Sequence, residues 1–251
     1  MLNNIGQHSE TAAIILAAGI GSRLRPLTSF KPKALVVVGG QAIVDRQIAS
    51  LLSNGIMRIT LVAGYRASSI MRHLSKSFPY PDCEIDYIFN PLFAKTNTVY
   101  SLWLASRILS DVSTLVINGD LILTSESIAK MLSCDGTCLG LSKHTCGKEE
   151  VKVRLQHEKV VSIGKGLDPV EVDGEYVGVA KFTQEVGQDY RKALDIAVGN
   201  GKIGIYYDDV IQSLLNRHFI KTVNLTDCNV MEIDSLQDFE KANAVFGIED
   251  R

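Results

Sequence analysis

Continuous apolar runs and helix-spaced apolar positions alternate through the first half of the chain. Ala12–Ala18 (AAIILAA) is apolar at every position rather than at every second one, the pattern of a strand covered on both faces. Leu35–Val38 is a second short run. Ile43, Val44, Ile48, Leu51 and Leu52 then recur at helical spacing, and Asn54-Gly55 supplies a C-terminal stop. Arg58–Ala63 (RITLVA) predicts a strand, and Arg66–Lys76 predicts a short helix closed by a loop holding Pro79 and Pro81. Glu84–Phe89 follows as a strand, Thr98–Leu109 as a helix, and Thr114–Ile117 as a buried strand running into Asn118-Gly119-Asp120. This β-α alternation predicts an α/β fold: a doubly wound, mainly parallel, Rossmann-like sheet with helices on both faces.

From about residue 136 the texture changes. Thr137–Ser142, Val151–Leu155, Val160–Ile163 and Tyr176–Phe182 are short and strand-like, with turn signals at Lys165-Gly166 and Asp173-Gly174. Helical patterns return at Gln184–Val198 and Asp208–Arg217, followed by a strand at Phe219–Leu225 and a helix at Ser235–Phe246. With no repeat, low-complexity segment or linker between them, the parts predict one domain over residues 1–251 carrying a small β-rich insertion or flap.

Composition narrows the function. The chain of 251 residues is 46% hydrophobic and 22% charged, an ordinary globular balance. Its 26 Lys and Arg against 28 Asp and Glu give a net charge of −2, which argues against a nucleic-acid binder working through a basic field. Ala12 to Ile20, the longest apolar stretch, falls far short of the roughly 20 residues a bilayer demands. Met1–Thr11 is polar and does not read as a signal peptide. Five cysteines without paired spacing predict reduced thiols and a cytoplasmic protein. Cys134, Cys138, His144 and Cys146 cluster, but their spacing is not that of a structural zinc site, and they read as packing residues.

Candidate chemistry concentrates just after the first strand, where α/β sheets bind ligands. Leu16-Ala17-Ala18-Gly19-Ile20-Gly21-Ser22 lets backbone N–H groups approach an anion closely. Arg23, Arg25, Lys31 and Lys33 then place four cations within eleven residues, a local answer to phosphate. Neither a Walker A loop nor a complete G-x-G-x-x-G is present, since Leu24 stands at the last glycine position.

The whole string Leu-Ala-Ala-Gly-x-Gly-x-Arg-Leu-x-Pro-Leu-Thr, then Pro-Lys-Ala-Leu, resembles the nucleotidyltransferase family that includes sugar-1-phosphate nucleotidylyltransferases. The resemblance continues through Val62-Ala63-Gly64-Tyr65, Asn118-Gly119-Asp120 and Glu232-Ile233-Asp234-Ser235. Asn90-Pro91-Leu92-Phe93, Thr96-Asn97-Thr98-Val99-Tyr100-Ser101-Leu102 and Tyr206-Tyr207-Asp208-Asp209 are similar to the bacterial choline-phosphate cytidylyltransferase branch. Ile163–Pro169 and Asp173–Gly178 resemble relatives acting on phosphonates such as 2-aminoethylphosphonate. Ala42 departs from the family, where many members open the helix with Pro.

The resemblance implies the nucleotide-diphospho-sugar transferase fold, with residues 1–135 the nucleotide-binding half and 136–251 the acceptor-binding half. It implies a Mg²⁺-assisted cytidylyltransferase moving CMP from CTP to phosphocholine or 2-aminoethylphosphonate and releasing pyrophosphate. A sugar- or polyol-1-phosphate nucleotidylyltransferase using UTP or CTP stays open beside it, as does a non-catalytic CTP-binding module. Neither nucleic acid nor membrane insertion is expected, and a homodimer is compatible with the resemblance.

Arg23 is expected on the triphosphate, Lys33 on the α-phosphate and the incoming oxygens, and the backbone of Leu16, Ala17, Ala18, Gly19, Gly21 and Ser22 around the nucleotide. Asp120 is the expected Mg²⁺ ligand, against a turn-forming role that Asn-Gly-Asp alone would suggest. Asp208 comes second and Glu232 third, with helix capping the alternative for Asp208 and for Asp234-Ser235. Gly64, Tyr65, Asn90, Thr96, Asn97 and Ser101 are candidates for the nucleobase, Tyr65 having a core role as its alternative. Acceptor candidates are Lys33, Glu149, Tyr176, Tyr206, Asp208 and Asp209, supported by Glu150, Phe93 and Tyr207. An ammonium would meet aromatic rings there, or a primary amine would meet carboxylates. Trp103 shares a helical apolar stripe with Tyr100, Leu104 and Ile108 and reads as core.

Overall fold

A computed structural model describes residues 11–247 apart from 80 and 82, so the polar segment before Thr11 lies outside the described residues. Strand β1 (Thr11–Ala17) is apolar throughout because it is buried on both sides. Ala13, Ile15 and Ala17 pack into one core layer, whereas Ile14 and Leu16 enter the layer on the opposite face. A hairpin of β2 (Val37–Val38) and β3 (Gln41–Ala42) leads into α1 (Ile43–Leu52). Then come β4 (Arg58–Ala63), α2 (Ala67–Ser77), β5 (Glu84–Phe89), α3 (Thr98–Ala105), α4 (Arg107–Asp111), β6 (Ser113–Asn118) and β7 (Leu121–Ile122). After α5 (Ser125–Ser133) the chain forms β8 (Cys138–Ser142), β9 (Lys152–Gln156), β10 (Lys159–Gly164) and β11 (Gly174–Phe182). It finishes with α6 (Gln184–Gly199), α7 (Tyr207–Ile211), β12 (Lys221–Asn224), β13 (Met231–Glu232) and α8 (Leu236–Phe246).

The large sheet runs β10-β9-β11-β6-β1-β4-β5, with β8 on β11 and β12 on β8. Strands β6, β1, β4 and β5 are mutually parallel, as the alternating pattern predicts. The later strands join through β11, which runs antiparallel to β6, β8 and β9. The chain winds outward from β1 to β4 and β5, then crosses back to β6 on the other side of β1. The end of β1 is therefore a topological switch point, where strand order leaves a crevice for a ligand.

Short strands β3, β7 and β13 have no counterpart in the sequence reading, and three helices also differ from it. The helix expected over Thr98–Leu109 is two helices, broken at buried Ser106, whose N–H reaches only the carbonyl of Trp103 (3.1 Å). The pattern at Asp208–Arg217 starts one residue earlier and tightens into a single-turn continuation after Ile211. Helix α5 has no counterpart in the sequence reading. Thr124 and Ser127 cap its start reciprocally, and Lys181, largely buried, donates its Nζ to the carbonyls of Leu132 and Cys134 at its end. Of the cysteine cluster, Cys138 and Cys146 are buried and Cys134 half-buried, while His144 lies 3.1 Å from Glu175. Among the described residues no helix is long and apolar enough to cross a membrane.

Candidate active site

Two strand ends and one short ladder build the site. Strand β6 ends at Asn118, and the turn through Gly119 delivers Asp120 beside the end of β1. The Gly119 N–H donates to the carbonyl of Leu16 (3.0 Å), so the two backbones touch. A Cβ on Gly119 would lie 2.6 Å from that carbonyl oxygen and 2.8 Å from the Ala17 Cα, which is why glycine stands here. Beyond Asp120, β7 pairs antiparallel with β13, Leu121 opposite Glu232, and the Ile233 N–H donates to the Asp120 carbonyl (3.0 Å). The ladder is clamped by a small core of Leu24, Val36, Val38, Ile43, Ile122, Ile233 and Ala242 beneath α8. Its result is that carboxylate oxygens of Asp120, Glu232 and Asp234 lie within 4.8 Å of one another.

Two cations from the loops after β1 meet these carboxylates. Lys33 Nζ donates to Asp120 Oδ2 (2.7 Å) and to Asp234 Oδ1, and Arg23 donates to Asp234 Oδ2 (2.6 Å). Burial opposes the charge on Lys33, but Asp120 and Asp234 outweigh it and raise its pKa. Asp234 behaves conversely. Burial alone would favour its neutral form, yet Lys33 and Arg23 hold its pKa below the usual carboxylate value. Glu232 receives no such partner. Desolvation of its carboxyl and repulsion from Asp120 and Asp234 push its pKa up to about 8. Asp120 Oδ1 is buried and accepts no hydrogen bond, which leaves an oxygen free in the midst of the cluster.

Two adjoining cavities open on this centre. One, of about 290 Å³, is lined by Leu16, Ala17, Gly19, Gly21, Ser22, Arg23, Lys33, Asn97 and Asp120, all expected from the sequence. Gly21 bends the loop with φ of +66°, and its carbonyl accepts from the Thr28 hydroxyl (2.7 Å). The second cavity, about 410 Å³, is lined among others by Glu149, Glu150, Lys165, Glu175, Tyr176 and Tyr206. Arg23, Asn118, Tyr206, Asp208, Glu232 and Asp234 line both, so the charged centre is the wall between them.

Several expected residues fall elsewhere. Asn90 is 1% exposed and fully used: its amide donates to Thr96 Oγ1 (3.1 Å) and Ser101 Oγ (3.0 Å), and its Oδ1 accepts from Leu92 N–H (2.8 Å). Asn90, Thr96 and Ser101 therefore brace the loop after β5 and do not line either cavity, a correction to the nucleobase expectation. Gly64 packs under Phe93, and the Tyr65 N–H donates to the carbonyl of Ala18, so these residues fix the loop from behind. Asp208 stands apart from the three clustered carboxylates and is no helix cap. Helix α7 opens one residue earlier, and Asp209 accepts from the Tyr206 N–H (2.9 Å). Phe93 packs against Tyr65, and Trp103 donates to Asp195 (2.8 Å).

Asp234, read from the sequence as part of a helix cap, is instead the hub of the ion pairs; Ser235 and Asp238 do the capping. The signal was present in Glu232-Ile233-Asp234, because residues two apart in extended chain share a face. Lys165, Asn118 and Thr98 also line the cavities but were not named as site residues, although each lies inside a motif that carried the resemblance.

Residues 12–134 match the family model described as Nucleotidyl transferase. The chain is 28% identical over 236 residues to a choline-phosphate cytidylyltransferase of Streptococcus pneumoniae, covering 93% of this chain and 97% of that one. It is 27% identical over 252 residues to a CTP:phosphoglutamine cytidylyltransferase of Campylobacter jejuni (91% and 97% covered). It is 26% identical over 237 residues to a 2-aminoethylphosphonate cytidylyltransferase of Lancefieldella rimae (93% and 92% covered). The solved structure of a CTP:phosphocholine cytidylyltransferase from S. pneumoniae superposes with a TM-score of 0.77 at 26% identity, covering 94% of this chain and 99% of that one.

Proposed function

We propose that this chain, which belongs to the nucleotidyltransferases, transfers CMP from CTP to phosphocholine or to a phosphonate such as 2-aminoethylphosphonate, releasing pyrophosphate. The observation that carries the reading is the shared wall. A glycine-bent anion cradle that holds Lys33 and Asp120 meets a second cavity at Arg23, Glu232 and Asp234, where two anionic reactants must be brought together.

The acceptor is already an anion, so no side chain need remove a proton before it attacks. One of its phosphate or phosphonate oxygens bonds to the α-phosphorus of CTP as the bond from that phosphorus to the bridging oxygen breaks, and pyrophosphate leaves in line. The barrier is then chiefly one of positioning and charge, to be lowered by fixed cations. Lys33 neutralises the α-phosphate and the incoming oxygens, Arg23 neutralises the triphosphate, and the Gly19–Ser22 backbone orients it. Asp120, Glu232 and Asp234 would hold Mg²⁺: the donors are hard oxygens, and Asp120 Oδ1 is buried with no other partner. The ion supplies further neutralisation of phosphate oxygens when bound.

Pyrophosphate release measured with each NTP against phosphocholine, 2-aminoethylphosphonate, glucose 1-phosphate and inositol 1-phosphate tests the reading. Turnover with CTP and phosphocholine or 2-aminoethylphosphonate is expected. Turnover with sugar or polyol phosphates alone would reject the acceptor class, and CTP binding without pyrophosphate from any acceptor would reject catalysis. Asp120→Ala should abolish turnover and leave the fold intact.

A further inference from the structure

We infer that the end of the acceptor remote from its phosphate carries a primary ammonium, with N–H bonds to donate, rather than a trimethylated nitrogen; the inference rests on the cytidylyltransferase reading above. The two cations make different demands. A trimethylammonium has no N–H and is held by several aromatic faces, whereas a primary ammonium needs acceptors for three N–H bonds.

The second cavity is built for the latter. Of its aromatic residues only Tyr206 presents an exposed ring: Tyr176 is 4% exposed, and its hydroxyl is joined to that of Tyr207 (2.5 Å). Besides Glu232 and Asp234 of the cluster, the cavity wall carries Glu149, Glu150, Glu175, Asp208 and Asp238. Asp208 is 5% exposed, lines both cavities, and has no hydrogen bond or ion pair to another side chain among the described residues. Glu150 Oε2 is likewise buried without a partner. Buried carboxylates short of partners are costly, and Glu150 Oε2 has none while the Asp208 carboxyl meets only its own backbone N–H and the charge of Lys165, so the pair facing one cavity points to a cation that arrives with the ligand.

The protein's own lysine marks the place. Lys165 Nζ sits 4.9 Å from the centre of the Tyr206 ring, and its charge acts on Asp208. A cation bearing N–H bonds thus already sits at the Tyr206 ring beside the Asp208 carboxylate.

A graded series tests this. Phosphoethanolamine, its N-methyl and N,N-dimethyl derivatives and phosphocholine are compared by pyrophosphate release with CTP and Mg²⁺, with 2-aminoethylphosphonate alongside to separate phosphate from phosphonate heads. The expected result is a stepwise fall in kcat/KM with methylation, phosphocholine ending about ten- to a hundredfold below the primary amine with the same head. Asp208→Asn should shrink that ratio, and Glu150→Gln should do so if Asp208→Asn does not fold. Equal or faster turnover of phosphocholine, or a ratio unmoved in the folded variants, overturns the inference and leaves CMP transfer standing. Turnover confined to sugar phosphates overturns both.

Discussion

Replacing Lys33 by Met removes the single side chain that bonds two of the clustered carboxylates at once. Its side chain is 13% exposed, and those of Asp120 and Asp234 are 24% and 25% exposed. Deleting one partner of a fully buried ion pair costs about 3–5 kcal/mol. Water reaching the two carboxylates, and proton uptake by the cluster, should reduce this to about 2–3 kcal/mol at pH 8 without metal. The dependence on pH has a definite sign. Lys33 has a raised pKa, so its own contribution is intact at every pH below its ordinary value of 10.5. In the variant only Arg23, on Asp234, opposes the repulsion among the carboxylates, and the folded pKa values of Asp120 and Glu232 rise above the unfolded ones, as that of Glu232 already does. Protons taken up by the folded state then favour it at low pH, so the deficit shrinks toward pH 5 and grows toward pH 8. Magnesium, binding the folded state alone, should recover much of the loss. Urea unfolding followed through the single tryptophan, Trp103, at pH 5.5 and 8 with EDTA or with Mg²⁺ measures all of this. A deficit under about 0.5 kcal/mol, or one indifferent to both pH and Mg²⁺, refutes the electrostatic account.

Three further outcomes follow from the same geometry. Asn90→Ala should lose about 1–3 kcal/mol in urea unfolding, because it strands buried Ser101 and breaks two more hydrogen bonds in the loop, and leave the affinity for CTP unchanged; weaker CTP binding at unchanged stability would restore its role at the base. Mg²⁺ affinity of the nucleotide-free protein should fall as pH drops from 8 to 6, by up to about tenfold per unit, since protonated Glu232, with its pKa near 8, must release its proton to bind. Calorimetry in buffers of different ionisation enthalpy reads that proton, and a pH-independent affinity contradicts it. Gly119→Ala should lower kcat/KM by two orders of magnitude or more, roughly the cost of a 1 Å displacement at a reacting centre, because its Cβ would force β6 away from β1; wild-type kinetics would show that the Asp120 turn tolerates movement.

The fold was legible where one physical cause dominates. A strand buried on both faces must be continuously apolar, so Ala12–Ala18, Arg58–Ala63 and Thr114–Ile117 could be read at once. Helix α5 was not, because its sequence SESIAKMLS opens with polar residues directly after a strand and buries only a narrow stripe of Ser127, Ile128 and Met131. Its end depends on Lys181, 48 residues beyond Ser133, which no local pattern can announce. The break at Ser106 is equally non-local. Its neighbours keep helical spacing, and the turn tightens against the packing of α4 on α6, where a Cβ at Gly187 would lie 1.9 Å from the Leu109 carbonyl oxygen.

The site divides along the same line. Residues in the loop after β1 are consecutive in sequence and consecutive in space, so the glycine bend, Arg23 and Lys33 could be named from the string alone. Polar residues after β5 have the same composition as a binding loop, yet Asn90 and its partners spend every hydrogen bond on one another. Composition cannot distinguish a polar network facing inward from one facing a ligand, whereas burial does. Asp208 and Asp234 exchange expectations for a related reason. Both precede or open a helix, where a carboxylate commonly caps, but capping by Asp209 and Asp238 relieves each of that duty. Released from it, Asp234 turns to Lys33 and Arg23, and Asp208 is left facing the two cavities with no side-chain hydrogen bond among the described residues.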